Sequence, residues 1–293
     1  MSAGVRNLAD MVVGAVDTPL GPLMGIYNTR KGCIETVEGW VQNAVGGLRG
    51  FYFNPHSVFD KLSKSLTGDC VTLDNKLAPP VSPVSAWGVG RSYAEHAREM
   101  GMSKQIAFFS KPVTSLTGHL NPVVVPPVSE KPDYEGEIVI IIGKRIKNAS
   151  TAEAGKAIAG YTAGADITDR LLQDMMSWSM AKGLDTYGPV GPVATIIDSP
   201  DDLDGLCVHT WLNGEKVQRG CTGDMIVSIP DMVSRLSALA TLRPGDIVFT
   251  GTPPGVGHAR KPPRYLRHGD ELEVRVSGLP PLRNQIVKTP GQQ

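Results

Sequence analysis

No uninterrupted apolar run reaches the roughly 18 to 20 residues a helix needs to cross a bilayer, so no transmembrane helix is expected. Neither sign of charge is in excess: lysine and arginine number 29, and so do aspartate and glutamate. That balance removes the global field by which nucleic-acid and membrane binders attract polyanions. Residues 1–20 lack a basic segment followed by a continuous apolar stretch, so no signal peptide is expected and the reading is cytoplasmic. Cysteine is scarce. Cys33, Cys70, Cys207 and Cys221 form no Cys-x-x-Cys pair and are expected as reduced thiols rather than a disulfide frame or a zinc site. No Gly-Lys-Ser/Thr ending or G-x-G-x-x-G segment supports nucleotide binding, and there is no internal repeat. Aromatics make up only 6%, whereas 33 glycines and 23 prolines point to many turns between short strands.

The chain divides near Leu77-Ala78-Pro79-Pro80-Val81-Ser82-Pro83, whose three prolines read as a stiff linker. Residues 1–80 are expected as a small, less regular N-terminal α/β domain, with strands at Leu23–Tyr27 and Cys70–Leu73 and helical spacing over Ile34–Val45. Residues 81–293 are strand-rich. Strands are expected at Ala86–Gly90, Ile106–Phe109, Val123–Val125, Ile138–Ile142, Tyr161–Ala165, Val193–Ile197, Ile247–Thr250 and Glu271–Val276. Asn213-Gly214 marks a hairpin between Val208–Leu212 and Glu215–Val217. Helices are expected at Tyr93–Met100, Thr151–Ala159 and Pro230–Ala240. Short strands in quick succession with few helices favour a closed or sandwiched mixed β architecture of the α+β class over a doubly wound sheet.

The most informative stretch is Asp133-Tyr134-Glu135-Gly136-Glu137, followed by the apolar run Ile138–Ile142. Residues two apart in a strand point to one face, so Glu135 and Glu137 project together from the mouth of a buried strand. Two adjacent carboxylates stay ionised only with a cation or basic groups between them, and oxygen ligation suits Mg²⁺, Mn²⁺ or Ca²⁺. Asp166, at the end of the Tyr161–Ala165 strand, offers a third ligand. His96 and Glu99 lie three apart on one helical face, a spacing that lets a carboxylate fix the imidazole tautomer and leave one nitrogen basic. Lys182 lies in a glycine-containing loop, where it can balance the charge of such a site. Gly251-Thr252-Pro253-Pro254-Gly255-Val256-Gly257 follows a strand, and its backbone N–H groups with the Thr252 hydroxyl suit an anionic ligand. Taken singly, each feature also reads as an ordinary solvated carboxylate, lysine or turn.

Together, in this order, these blocks resemble the fumarylacetoacetate hydrolase superfamily, especially its acylpyruvase and fumarylpyruvate hydrolase-like members. The resemblance runs from about residue 86 to 288. It includes Val89-Gly90-Arg91-Ser92-Tyr93 through Glu99, Asp133 to Glu137, Ala165-Asp166-Ile167-Thr168 through Arg170 and Gln173, Ala181-Lys182-Gly183, Asn213-Gly214-Glu215 through Gln218, Leu242-Arg243-Pro244-Gly245-Asp246, and Gly251 to Gly257. It implies a mixed β-roll or β-sandwich, usually homodimeric, with Mg²⁺ or Mn²⁺ on Glu135, Glu137 and Asp166. It further implies a water-activating His96/Glu99 dyad on a lid helix, Lys182 beside the metal, and substrate contacts from Arg91, Gln173, Gln218 and Thr252. Ala165, Ser92, Leu171 and Cys221 depart from the family's usual polar residues and strip groups that orient ligands.

A 2-oxo or 2,4-dioxo acid is the implied substrate, reacting through a pyruvate enolate. Three outcomes share that enolate: hydrolysis of an acylpyruvate-type β-diketo acid, as in aromatic catabolism; decarboxylation of oxaloacetate; and tautomerisation or isomerisation. The His96/Glu99 pair favours hydrolysis, which specifically needs an activated water. A non-catalytic binding protein of the same fold is the remaining alternative.

Overall fold

The computed structural model describes residues 12–16, 23–37, 66–103 and 105–290. Nineteen strands are found there. In the N-terminal part these are β1 (Val12–Val16), β2 (Leu23–Asn28), β3 (Cys33–Val37), β4 (Leu66–Thr72) and β5 (Leu77–Ala78). Next come β6 (Ala86–Gly90), β7 (Ala107–Lys111), β8 (Leu116–Thr117), β9 (Val123–Val125), β10 (Pro132–Asp133) and β11 (Gly136–Ile142). The rest are β12 (Ile158–Ala165), β13 (Thr168–Asp169), β14 (Gly188–Ile196), β15 (Cys207–Leu212), β16 (Glu215–Cys221), β17 (Ile247–Phe249), β18 (Glu271–Val276) and β19 (Leu282–Lys288). The α-helices are α1 (Ala94–Glu99), α2 (Thr151–Gly155), α3 (Arg170–Met175), α4 (Trp178–Ala181) and α5 (Ile229–Leu239). The expected α+β class, dominated by mixed sheet, is what forms.

The larger sheet runs β4-β3-β2-β1-β14-β12-β11-β17-β6-β7, and the smaller runs β16-β15-β18-β19-β9. Most pairs are antiparallel; β17 with β6 and β19 with β9 are parallel. Strand β11 explains its own sequence. Ile138, Ile140 and Ile142 join one core, with the smaller sheet and α5, while Val139 and Ile141 join a second. Because both faces are buried, the strand reads as a continuous apolar run rather than an alternation. Helix α5 is amphipathic as expected. Ile229, Met232, Val233 and Leu236 are its buried face, Pro230 lies in its first turn, and the Ser228 hydroxyl accepts from Asp231 N–H.

Three expectations need correction. Residues 34–37, the start of the stretch read as helical, belong to strand β3 (Cys33–Val37), which lies between β2 and β4; tertiary pairing overrides the local spacing, and residues 38–45 lie outside the described residues. The helix over Thr151–Ala159 stops at Gly155, because residues from Ile158 onward are drawn into the buried strand β12. The proline-rich linker is not free: β5 pairs with β1, Leu77 N–H donates to His119 O at 3.0 Å, and Leu77, Ala78 and Val81 are buried. Likewise β1 pairs with β14 through Val12↔Thr195, Val13↔Ala194 and Gly14↔Val193, so the described N-terminal strands extend the sheet that carries β11 and β12.

The cysteines also differ from expectation. Cys33 is bonded to Cys70 and Cys207 to Cys221, with Cα–Cα distances of 5.6 and 3.9 Å. Strand pairing sets both partners, β3 beside β4 and β15 beside β16. Their sequence separations of 37 and 14 residues hide them from a search for closely spaced cysteines.

Candidate active site

Strands β11 and β12 are antiparallel, with Gly136 opposite Ala165. Asp166 N–H donates to Glu135 O at 2.8 Å, which carries the pairing one step beyond the strand ends. This register brings Glu135, Glu137 and Asp166 together. Their ligand atoms lie within 4.8 Å of one another, and all three residues are buried. The glycine between the glutamates is required by packing: a Cβ on Gly136 would sit 2.0 Å from Thr210 Oγ1 of the facing sheet. Gln218 and Thr252 fix its peptide. Gln218 Oε1 accepts from Gly136 N–H at 3.0 Å, Thr252 Oγ1 donates to Gly136 O at 3.1 Å, and Gln218 Nε2 donates to Thr252 Oγ1 at 2.7 Å.

Three buried cations surround the carboxylates. Lys182, the C-cap of α4, donates to Glu135 Oε2 and Asp166 Oδ2 at 2.6 Å each, and to Thr168 Oγ1 at 2.8 Å. Lys111, at the end of β7, donates to Asp166 Oδ1 at 2.8 Å and to the carbonyls of Lys182 and Tyr187. Arg170, at the start of α3, pairs with Asp133 Oδ2 at 2.9 Å and Glu135 Oε1 at 2.6 Å. Asp133 is itself held by the N–H groups of Gly257 at 2.8 Å and His258 at 2.9 Å.

These contacts divide the two glutamates. Burial favours the neutral acid, but Lys182 and Arg170 outweigh it at Glu135 and hold that carboxyl well below the usual range. Glu137 accepts from Gly251 N–H at 2.7 Å and has no lysine or arginine ion pair among the described residues. Burial, then the charges of Asp166 and Glu135, push it well above the usual carboxylate range. The lysines divide in the same way. Burial opposes the charge of each, yet Lys182, touching two carboxylates, is raised, whereas Lys111, touching one, is lowered. A cluster of three carboxylates, one of them without a cationic partner, fits a hard divalent cation.

His96 and Glu99 meet as their spacing requires: His96 Nδ1 lies 2.9 Å from Glu99 Oε1. Both Glu99 oxygens accept from Gly255 N–H, at 3.1 and 3.0 Å, so α1 is latched to the glycine-rich loop. That loop does not cradle an outside anion as expected. Its N–H groups at Gly251, Gly255 and Gly257 hold the protein's own Glu137, Glu99 and Asp133.

The pocket over the carboxylates has a volume of about 360 Å³. His96, Glu135, Glu137, Lys182, Arg91, Gln173 and Thr252 line it, and Gln218 does not. Gln218, predicted to bind substrate, is 2% exposed and clamps the backbone instead. Gln173 accepts from Arg170 Nη1 at 3.0 Å. Arg91 donates to Ser103 Oγ at 2.9 Å and stacks 5.4 Å from the Trp178 ring centroid. Sequence reasoning missed Lys111 altogether and gave no role to Asp133, Arg170 or Trp178. Asp133 and Arg170 stand inside quoted blocks, so their signal was present; Lys111 carries none beyond ending a strand before Pro112.

Residues 85–287 match the model of the fumarylacetoacetate (FAA) hydrolase C-terminal family. The chain belongs to this family. It is 36% identical over 277 residues to the human mitochondrial oxaloacetate tautomerase FAHD2A, covering 92% of this chain and 88% of that protein. The crystal structure of 5-carboxymethyl-2-hydroxymuconate delta-isomerase from Mycobacterium smegmatis superposes with a TM-score of 0.74 at 28% identity, covering 96% of this chain and all of that one. The 2-hydroxyhepta-2,4-diene-1,7-dioate isomerase of Mycobacterium marinum superposes at 0.75 and 28%, with the same coverage. Family membership accounts for the ordered blocks and for the enzyme-type pocket, and it includes tautomerases and isomerases. No helix among the described residues is long and apolar enough to cross a membrane.

Proposed function

We propose that this protein is a tautomerase or double-bond isomerase of 2-oxo diacids, dependent on Mg²⁺ or Mn²⁺ at Glu135, Glu137 and Asp166. A divalent ion there supplies a Lewis acid that favours the enolate of a bound 2-oxo acid. The observation that carries the reading is the fixed imidazole of His96 in the same small pocket as the carboxylates. With Nδ1–H directed at Glu99, Nε2 is the nitrogen that exchanges protons. His96 takes the proton at C3 of the keto acid and returns it to the 2-oxygen, or the reverse, with no net gain or loss. Lys182 and Arg170 keep the Glu135 carboxylate ionised throughout, and Arg91 offers a guanidinium with no carboxylate ion pair among the described residues to a second acid group.

The relatives support proton transfer over bond cleavage. Their names describe a tautomerase of oxaloacetate and isomerases of 5-carboxymethyl-2-hydroxymuconate and 2-hydroxyhepta-2,4-diene-1,7-dioate, all of which move a proton and a double bond. Hydrolysis of acylpyruvates remains a second reading, because a His–Glu pair also suits activation of water. To test the proposal, the decay of enol oxaloacetate is followed by absorbance with metal, after chelation, and after metal is restored. Expected are loss on chelation, recovery with Mn²⁺ or Mg²⁺, and about 10²-fold slower turnover in His96→Gln. Equal rates in all three conditions would sink the proposal. Cleavage of an acylpyruvate panel without enol turnover would transfer the assignment to hydrolysis.

A further inference from the structure

Residues 258–268, His-Ala-Arg-Lys-Pro-Pro-Arg-Tyr-Leu-Arg-His, contain four lysines and arginines and no carboxylate, in a chain whose charges cancel overall. They border an open groove of about 1130 Å³ outside the active site, which Asn213 and Asp270 also line. Its charge is only partly matched. Arg260 and Arg264 share Glu215, at 3.2 and 2.5 Å, and Arg260 Nε is buried without a hydrogen-bond partner. Lys261 and Arg267 are exposed, and their side chains form no carboxylate ion pair among the described residues. Asp270 is occupied by Asn213 Nδ2 at 2.8 Å and Arg267 N–H at 2.7 Å.

The groove is built before any ligand arrives. Pro262 and Pro263 restrict the backbone between Lys261 and Arg264. Arg264 N–H donates to Gly257 O at 2.9 Å, Leu266 N–H donates to Pro132 O at 2.7 Å, and His258 Nδ1 lies 2.8 Å from the Tyr265 hydroxyl. A site held in this way loses little freedom on binding. The same loop reaches the active site, because Gly257 and His258 hold Asp133, which holds Arg170 against Glu135.

We propose that this groove is a second binding site, for a small multivalent oxyanion: a phosphate or a dicarboxylate free in solution. Glu215 and Asp270 bound the positive patch and the whole chain is neutral, so the attractive field extends about one Debye length, ~8–10 Å. That suits a compact anion, whereas a nucleic acid needs a longer basic track.

The test is isothermal titration of the metal-loaded protein with inorganic phosphate, sulfate and succinate, each at ionic strength matched with chloride. Saturable one-to-one binding is expected for at least one of them, weakened about tenfold or more in the Lys261→Gln/Arg267→Gln double variant, whose melting temperature stays that of the wild type. Phosphate and sulfate binding tighter than succinate assigns a tetrahedral oxyanion, and the reverse assigns a dicarboxylate. No saturable heat above chloride, or equal affinity in the double variant, overturns the proposal. Tighter binding of a short oligonucleotide than of any small anion overturns it too, in favour of a polyanion surface. None of these readouts depends on the reaction proposed for the active site.

Discussion

Around the pocket, Asp133, Glu135, Glu137 and Asp166 face Lys111, Lys182 and Arg170, all of them buried, and Glu137 is the carboxyl without a cationic partner, so burial favours its neutral form. Holding a carboxyl protonated at neutral pH, where the unfolded chain ionises it, lowers the stability of the native state. In metal-free protein, Glu137→Gln is therefore expected to raise the urea midpoint above that of the wild type. With Mn²⁺ the order should reverse, because binding to the native state stabilises by about 2.7 kcal/mol at 100 times Kd and the variant lacks one ligand. An equal Mn²⁺-induced rise in both proteins would remove Glu137 from the metal site. Lys111 makes the opposite case. Its Lys111→Met variant strands Asp166 Oδ1 and is expected to cost about 3 kcal/mol or more, read as a lower denaturation midpoint; a shift under about 1 kcal/mol would show that the pair contributes little.

Single elements carry their own pH dependence. His119 joins the N-terminal strands to the smaller sheet: its Nε2 lies 2.9 Å from Leu73 O, and its Nδ1 accepts from Arg283 N–H at 3.0 Å. This pattern needs the neutral ring with the proton on Nε2. Burial lowers its pKa below the usual 6.5, Arg283 adding to the effect while the Leu73 carbonyl and Asp74 oppose it. The unfolded chain therefore binds the extra proton first. Stability from this group is full above pH of about 6.5 and is lost as pH falls through the lower native value. Thermal melts at pH 7.5 and 5.5 should show a smaller acid-induced drop in His119→Gln than in the wild type; equal drops would exonerate His119. The cross-strand cysteines are tested at the same scale, since non-reducing peptide mapping should return the pairs Cys33–Cys70 and Cys207–Cys221 and no others.

Across the whole molecule, the parts legible in sequence were those set by local rules. The run Ile138–Ile142, the Asn213-Gly214 turn and the capped Pro230 helix each follow from side-chain periodicity or backbone preference within about ten residues. The Glu-Gly-Glu segment and the His96/Glu99 spacing likewise announced two parts of the site. Gln218 shows where that reasoning stops. Its place in a quoted block implied substrate contact, yet whether an amide faces ligand or backbone depends on how β16 packs over Gly136. Lys111 shows the same limit from the other side, because a lysine ending a strand reads as solvated until β12 and α4 close over it. The chain's own order determined its strands, turns and carboxylate donors, since these depend on neighbours along the backbone. Only the stacking of two sheets decided which donors converge, which cations neutralise them, and which cysteines meet. Coulombic and desolvation energies act through space between segments that sequence separation keeps apart.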